Sequence, residues 1–286
     1  MATDRCGIKE LYPSLEDGRK WYSTVWGNKL TRIITPNKFD PYDDKLGVCS
    51  GNIRINGDGT ATVDPKTNTN TDKLTRGQRT YISGPWRNTE MTVYVRVRGQ
   101  CPSFQMRSRS NHDGCQGLPY GFPVHIEGQS VSCGFGGYLV KWSDNNDNKV
   151  MCEVEVFHSI YKRALNKHDS VQPPLNIWTG YKQVTRDYGS DKVKLEGYIL
   201  RNVENQNWVK DVEYLFDGKN ANIEMTGKES LIEYCRNRGD KVSGDVKRNT
   251  VWRRSGKWCW LRFEGLDRGI WDTDLKYFSV REIKPS

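Results

Sequence analysis

The run Glu90-Met91-Thr92-Val93-Tyr94-Val95-Arg96-Val97-Arg98 decides how this chain is read. In an extended strand successive side chains point to opposite faces. Met91, Val93, Val95 and Val97 therefore share one face, and Glu90, Thr92, Tyr94, Arg96 and Arg98 the other. Two more stretches repeat the pattern. In Cys152 to Phe157, Cys152, Val154 and Val156 alternate with Glu153, Glu155 and Phe157. In Lys192 to Tyr198, Val193 and Leu195 alternate with Lys192, Lys194, Glu196 and Tyr198. A face built only for solubility would carry short polar residues. These faces carry Tyr, Phe, Arg, Lys and paired Glu, the side chains that grip a polar, ring-shaped ligand, so they predict a binding sheet.

Outward from these strands the texture stays the same. Asn52 to Val63 reads as a hairpin turning at Gly57-Asp58-Gly59. Further strands are expected at 136–142, 181–186, 208–216, 258–263 and 277–283. Turn-forming clusters such as 143–148 and 187–190 separate them, and Asp64 to Arg79 reads as a long polar loop. Helical signals are confined to 11–20 and 228–236, both short and weakly periodic. Many strands without intervening helices predict an all-β antiparallel sandwich or barrel. We expect one domain over 1–286, with 1–50 as a strand and loop extension packed on it. The first and last strands should pair, because a single domain must close its sheet edges.

Composition narrows the partner. Apolar residues make up 35 % of 286, with 27 Gly, 10 Trp and 14 Tyr, which suits a large wet β-protein with exposed aromatic platforms. The net charge of +9 favours an anionic partner. The basic residues are scattered, which argues against a nucleic-acid tail or a polybasic anchor, and no apolar stretch is long enough to insert in a bilayer. Nucleotide-binding glycine motifs and the GxSxG elbow are absent. Eight cysteines without a CxxC pair argue against a zinc ribbon and for disulfides in an oxidising compartment. Secretion is therefore expected, although residues 1–20 lack the pattern of a leader. Cys101 and Cys115 bracket a Ser-, Arg- and Asn-rich loop. Cys152, on the apolar edge of its strand, would be equally comfortable as a buried thiol.

The runs Gly134-Phe135-Gly136-Gly137-Tyr138-Leu139-Val140-Lys141-Trp142, Cys152 to His158, Trp178-Thr179-Gly180-Tyr181-Lys182 and Lys276 to Ile283 together resemble the concanavalin A-like lectin/glucanase superfamily over roughly 50–286. That resemblance implies a jelly-roll sandwich whose concave sheet binds glycans. Two enzymatic patterns of the superfamily are echoed. Glu153-Val154-Glu155-Val156-Phe157-His158 is similar in spacing to the Glu-x-Asp-x-x-Glu strand of family 16 glycoside hydrolases, with His158 where the last acid belongs. Retaining hydrolysis needs carboxyl groups about 5 Å apart, and same-face neighbours in a strand have Cα atoms about 6.5 to 7 Å apart. Arg87-Asn88-Thr89-Glu90 and Lys194-Leu195-Glu196-Gly197-Tyr198 are similar to the outer motifs of family 7 alginate-type lyases, without the Gln-x-His strand between them.

β-Elimination suits a basic sheet. A cation neutralises the uronate carboxylate and acidifies the C5 proton, a base removes that proton, and a phenol protonates the leaving oxygen. In this scheme Arg96 and Lys194 neutralise charge, Tyr198 or His112 is the base and Tyr94 supports proton return. Arg87, Glu90, Lys141, Glu153, Glu155, His158, Lys182 and Glu196 bind substrate. Several alternatives stand beside these roles. Glu153 and Glu155 equally suit cross-strand pairs with Arg96 and Lys194. His158 is a packed edge residue unless a bulge turns it, and His112 equally suits a solvated loop. Trp258 and Trp260 share a face and suit core packing or sugar stacking. The expected function is thus a lyase acting on an anionic polysaccharide. A non-catalytic lectin-like binder and a hydrolase using Glu153 and Glu155 are the alternatives. No cofactor is required. Asp144, Asn146, Asp147 and Asn148, or Asp267, Asp272 and Asp274, offer oxygen ligands for a structural calcium, without the spacing of a calcium loop.

Overall fold

A computed structural model describes residues 2–64, 78–98, 103–110, 137–142, 149–157, 160–169, 174–217, 223–224, 256–264 and 273–286. Eighteen strands account for most of them. In chain order they are β1 Lys20–Tyr22, β2 Arg32–Ile34, β3 Lys38–Asp40, β4 Asp43–Ser50, β5 Asn52–Ile55, β6 Thr60–Asp64, β7 Gln78–Trp86, β8 Thr89–Val97 and β9 Ser103–Ser110. They continue as β10 Gly137–Trp142, β11 Lys149–Phe157, β12 Ile160–Asp169, β13 Thr179–Tyr188, β14 Lys192–Leu200, β15 Val209–Phe216, β16 Ile223–Glu224, β17 Gly256–Glu264 and β18 Thr273–Glu282. A short 3-10 helix at Ser23–Gly27 follows β1. Residues 11–20, where a helix was expected, instead bend across a sheet and begin β1, while 228–236 lie outside the described residues.

The strands form two antiparallel sheets of nine, a jelly-roll sandwich as expected. The front sheet runs β15-β14-β13-β8-β18-β6-β5-β2, with β1 also on β18; the back sheet runs β16-β12-β11-β10-β9-β17-β7-β4-β3. The N-terminal and C-terminal strands do pair, Trp21 opposite Val280. The hairpin at 52–63 is also as read.

The core lies between the sheets and follows the alternation. Met91, Val93, Val95 and Val97 of β8, with Val193 and Leu195 of β14, meet Val140, Cys152, Val154, Leu261 and Phe263 of the back sheet. Tyr181 and Trp142 also turn inward, packing at 5.0 Å between ring centroids. This leaves Lys182 and Lys141 on the outer faces. One polar bridge crosses the core: Ser108 Oγ donates to Thr185 Oγ1 at 2.7 Å, and Gln183 Nε2 donates to the Tyr138 carbonyl at 2.9 Å.

Three expectations are corrected. The three two-faced strands do not share a sheet: β8 and β14 flank β13 in the front sheet, whereas β11 lies in the back sheet. Residues 103–110, read as part of a clamped loop, form β9 between β10 and β17. Cys6 and Cys259 are free thiols, so the expected disulfides do not extend to them, whereas Cys152 is the buried thiol that its place on the apolar edge equally allowed; strand alternation points Cys152 and Cys259 into the core. Cys101, Cys115, Cys133 and Cys235 lie outside the described residues.

Candidate functional site

The outer face of the front sheet collects most of the candidate residues, because β8, β13 and β14 are neighbours and each alternates. At its centre Glu90 is buried between two cations. Lys182 Nζ lies 2.8 Å from Oε1, and Arg281 NH2 lies 2.5 Å from Oε2. Registry explains the contact: Arg281 is directly opposite Glu90 across β18 and β8, and Lys182 is opposite Thr92, one same-face step away. Burial alone would raise the Glu90 pKa, but the two ion pairs outweigh it and hold the carboxyl below its ordinary range.

This centre is sealed by the N-terminal arm. The backbone N–H groups of Leu11 and Tyr12 donate to the Glu90 carboxylate, and Arg281 donates to the Tyr12 carbonyl at 2.8 Å. Ile8, with Leu11 and Tyr12 against it, packs in a second apolar cluster on Tyr94, Val184, Tyr198, Leu200 and Trp208. Alternation predicted the polar face. It carried no signal that residues 4–14 would cover it.

One flank holds Glu196 and Tyr198. Glu196 accepts from the Tyr12 hydroxyl at 2.7 Å and from the Tyr198 hydroxyl at 3.1 Å. It also pairs with Lys210 at 2.8 Å and more distantly with Lys194 and Arg186. Burial tends to raise its pKa, but Lys210, Tyr12 and Lys194 prevail and lower it. Lys194 also reaches Glu213 at 3.1 Å. Burial, Tyr12 and Glu196 push the Tyr198 hydroxyl well above the ordinary phenol range. Burial does the same to Tyr94. Neither nominated phenol is therefore inclined to lose its proton.

The other flank is open. Arg96 makes a two-point pair with Asp274, at 3.0 and 2.6 Å, and Arg98 takes the second oxygen of Asp274 at 2.8 Å. The Asp274 carboxylate, a nominated calcium ligand, is thus occupied by two guanidinium groups. Arg96 lies over the Trp178 ring at 4.8 Å, and Lys276 Nζ lies 4.4 Å from the same ring. Lys276, Trp178 and Tyr277 escaped the list of site residues drawn from sequence. The signal available for two of them was an aromatic beside a lysine within a strand, Lys276-Tyr277.

The remaining candidates lie elsewhere. Arg87, half-exposed, pairs with Asp187 at 2.8 Å at the end of β13. Arg109 is fully buried and holds the other oxygen of Asp187 at 2.8 Å. Lys141 and Glu153 sit on β10 and β11 of the back sheet, so the core separates Glu153 from Arg96 and Lys194. The cross-strand pairing considered for Glu153 with those two cations is therefore not made. Glu155 is also on β11; its side chain, like His112 and His158, lies outside the described residues. Trp258 and Trp260 stay on one face, as read. They are buried outside the main core, with Tyr81 and Cys49, and Arg79 and Arg107 lie over the Trp260 ring at 5.2 and 4.6 Å. Among the described residues no group of His, Cys, Asp and Glu is arranged to hold a metal ion.

No protein-family model matches the chain, and no curated protein matches its sequence. Several solved structures are similar in fold. A galectin-like protein of unknown function from Bacillus subtilis shares 8 % identity, with a TM-score of 0.43, over 96 % of this chain and all of that one. The carbohydrate-binding module CBM66 from Bacillus subtilis shares 9 % identity, with a TM-score of 0.41, over 86 % of this chain and 100 % of that one. An endo-beta-1,4-glucuronan lyase from Trichoderma reesei shares 7 % identity, with a TM-score of 0.39, over 95 % of this chain and 93 % of that one. At these identities and scores the likeness carries no argument about activity.

Proposed function

We propose that the chain is a non-catalytic, lectin-like carbohydrate-binding protein that takes an anionic polysaccharide on the outer face of the front sheet. The observation that supports this reading is how differently the nominated groups are committed. Lys194 and Arg96 are ion-paired, Tyr198 and Tyr94 are held protonated, and Glu90 is sealed beneath the N-terminal arm. What remains open is a flank where Lys276, which makes no ion pair among the described residues, lies over the Trp178 ring. β-Elimination asks for a base that can take a proton from carbon, and a phenol with a raised pKa is poorly suited to that. Binding asks only for rings that stack on sugar C–H faces and for cations that meet their acidic groups.

The test is incubation with alginate, polygalacturonate and a neutral glucan, following bound polymer, ultraviolet absorbance and reducing ends together. The expected result is retention on the acidic polymers with no rise in absorbance or reducing ends. A rise in absorbance would establish the lyase instead, reducing ends alone would establish a hydrolase, and no binding to any glycan would end the carbohydrate reading.

A further inference from the structure

Strand β18 breaks its own alternation at one place. Leu275 and Phe278 both point into the core, so Lys276 and Tyr277 between them both reach the outer face. A regular strand would place one of these two neighbours inside. The register against β8 shifts between Lys276 and Ser279, and Tyr277 takes a φ of 53°, in the left-handed region that a bulky residue enters only under strain. The strained bulge brings an ammonium and a phenol ring together at 5.0 Å, and leaves Tyr277 37 % exposed on the edge of Tyr94. Bulges that re-aim side chains, and strain held in place by the surrounding fold, both concentrate at functional sites.

The second wall comes from the segment before β13. The Asn176 N–H donates to the Val97 carbonyl at 2.8 Å, which ties that segment to the end of β8. Trp178 is thereby held beside Arg96 and Lys276, with Leu175 and Ile177 exposed next to it. Lys276 Nζ thus faces Trp178 at 4.4 Å, Tyr277 at 5.0 Å and Tyr94 at 6.0 Å. The carboxylate of Asp274 belongs to Arg96 and Arg98, and Lys276 makes no ion pair among the described residues. Partial burial and the neighbouring Arg96 lower its pKa, as expected of an ammonium short of a counter-charge.

We infer that Lys276, Trp178 and Tyr277 form the subsite for an anionic sugar residue, Lys276 pairing with its carboxylate or sulfate while the two rings pack on its C–H faces. This rests on the reading of the chain as a polysaccharide-binding protein. A sugar anion would supply the counter-charge that Lys276 lacks beside Arg96, and the rings would exclude water from the pair.

The experiment measures binding of the full chain to alginate, dextran sulfate and unmodified dextran, using the parent, Lys276→Met, Lys276→Arg, Tyr277→Gly and, as a charge control, Lys38→Met on the exposed edge strand β3. Melting curves confirm that each variant is folded. Lys276→Met is expected to weaken binding to the acidic polymers at least tenfold and Lys38→Met less than twofold, with Lys276→Arg restoring most of the loss. Tyr277→Gly, which keeps the backbone at φ 53° without strain, is expected to weaken binding comparably. Loss on alginate alone assigns a carboxylate ligand, and loss on dextran sulfate alone a sulfate. If Lys276→Met binds as the parent does, or Lys38→Met loses as much, the subsite is wrong while the polysaccharide reading survives. If the parent retains none of the polymers, that reading itself falls.

Discussion

Among single residues, Lys182 shows how a buried charge is retained. Its Nζ is satisfied by Glu90 and by the Thr92 hydroxyl at 2.7 Å, and it lies 4.7 Å from the Trp208 ring. Breaking a buried pair by removing one partner is far more costly than replacing both, because the survivor keeps an uncompensated charge. Lys182→Met is expected to destabilise the chain by about 3 kcal/mol or more. Glu90→Gln should do likewise, leaving Lys182 and Arg281 facing each other. The double variant should lose less than the sum of the two, a coupling that chemical denaturation of all four proteins measures. Lys182 was legible in the sequence as one of two alternating neighbours, Tyr181 and Lys182. Its partner was not, since Glu90 is 92 positions away and only the pairing of β13 with β8 brings the two together.

Strand β14 carries a constraint that its sequence only hinted at. Gly197 faces the core, where an added Cβ would come within 2.7 Å of Val140 on one side and of Val212 on the other. Gly197→Ala is therefore expected to cost about 1 to 3 kcal/mol by overpacking, read as a lower denaturation midpoint. The same element shows a register shift at Gly197 and Tyr198. At β18 the expected sign is opposite. Tyr277→Gly relieves a left-handed non-glycine residue, so its stability should match or exceed that of the parent by up to about 1 kcal/mol even as binding falls. A β-branched Tyr277→Val should instead be destabilising. Thermal melts of the two variants separate strain from function. Alternation made β8 and β14 visible as strands, but the bulge in β18 was hidden, because the strand expected from sequence begins at Tyr277 and so never sets Leu275 beside Phe278. Three residues apart, those two share a face only across a bulge.

For the molecule as a whole, the N-terminal arm, the front sheet and the C-terminal strand share one network of charges. Glu90 and Glu196 both have pKa values held below their ordinary 4.5 in the folded chain. A depressed carboxyl contributes stability that is present above its unfolded value and is lost as pH falls through the folded one. The melting temperature should therefore drop as the solution is acidified below about pH 4.5, and more steeply for the parent than for Glu196→Gln. Polyanion binding by an exposed cationic flank should also weaken as salt rises beyond physiological levels, where screening acts over about 8 Å. A titration of affinity against sodium chloride measures it. From the sequence by itself came the all-β class, the strand faces and a basic, aromatic character, since these follow from local alternation and composition, and the pairing of the terminal strands came from the need to close sheet edges. Only the tertiary structure decided that Glu153 stands on the opposite sheet from Arg96 and Lys194, that residues 4–14 seal Glu90, and that Lys276 and Tyr277 share one open flank. Sheet membership, arm docking and bulge placement are set by contacts between residues far apart in the chain, and a period of two carries no record of them.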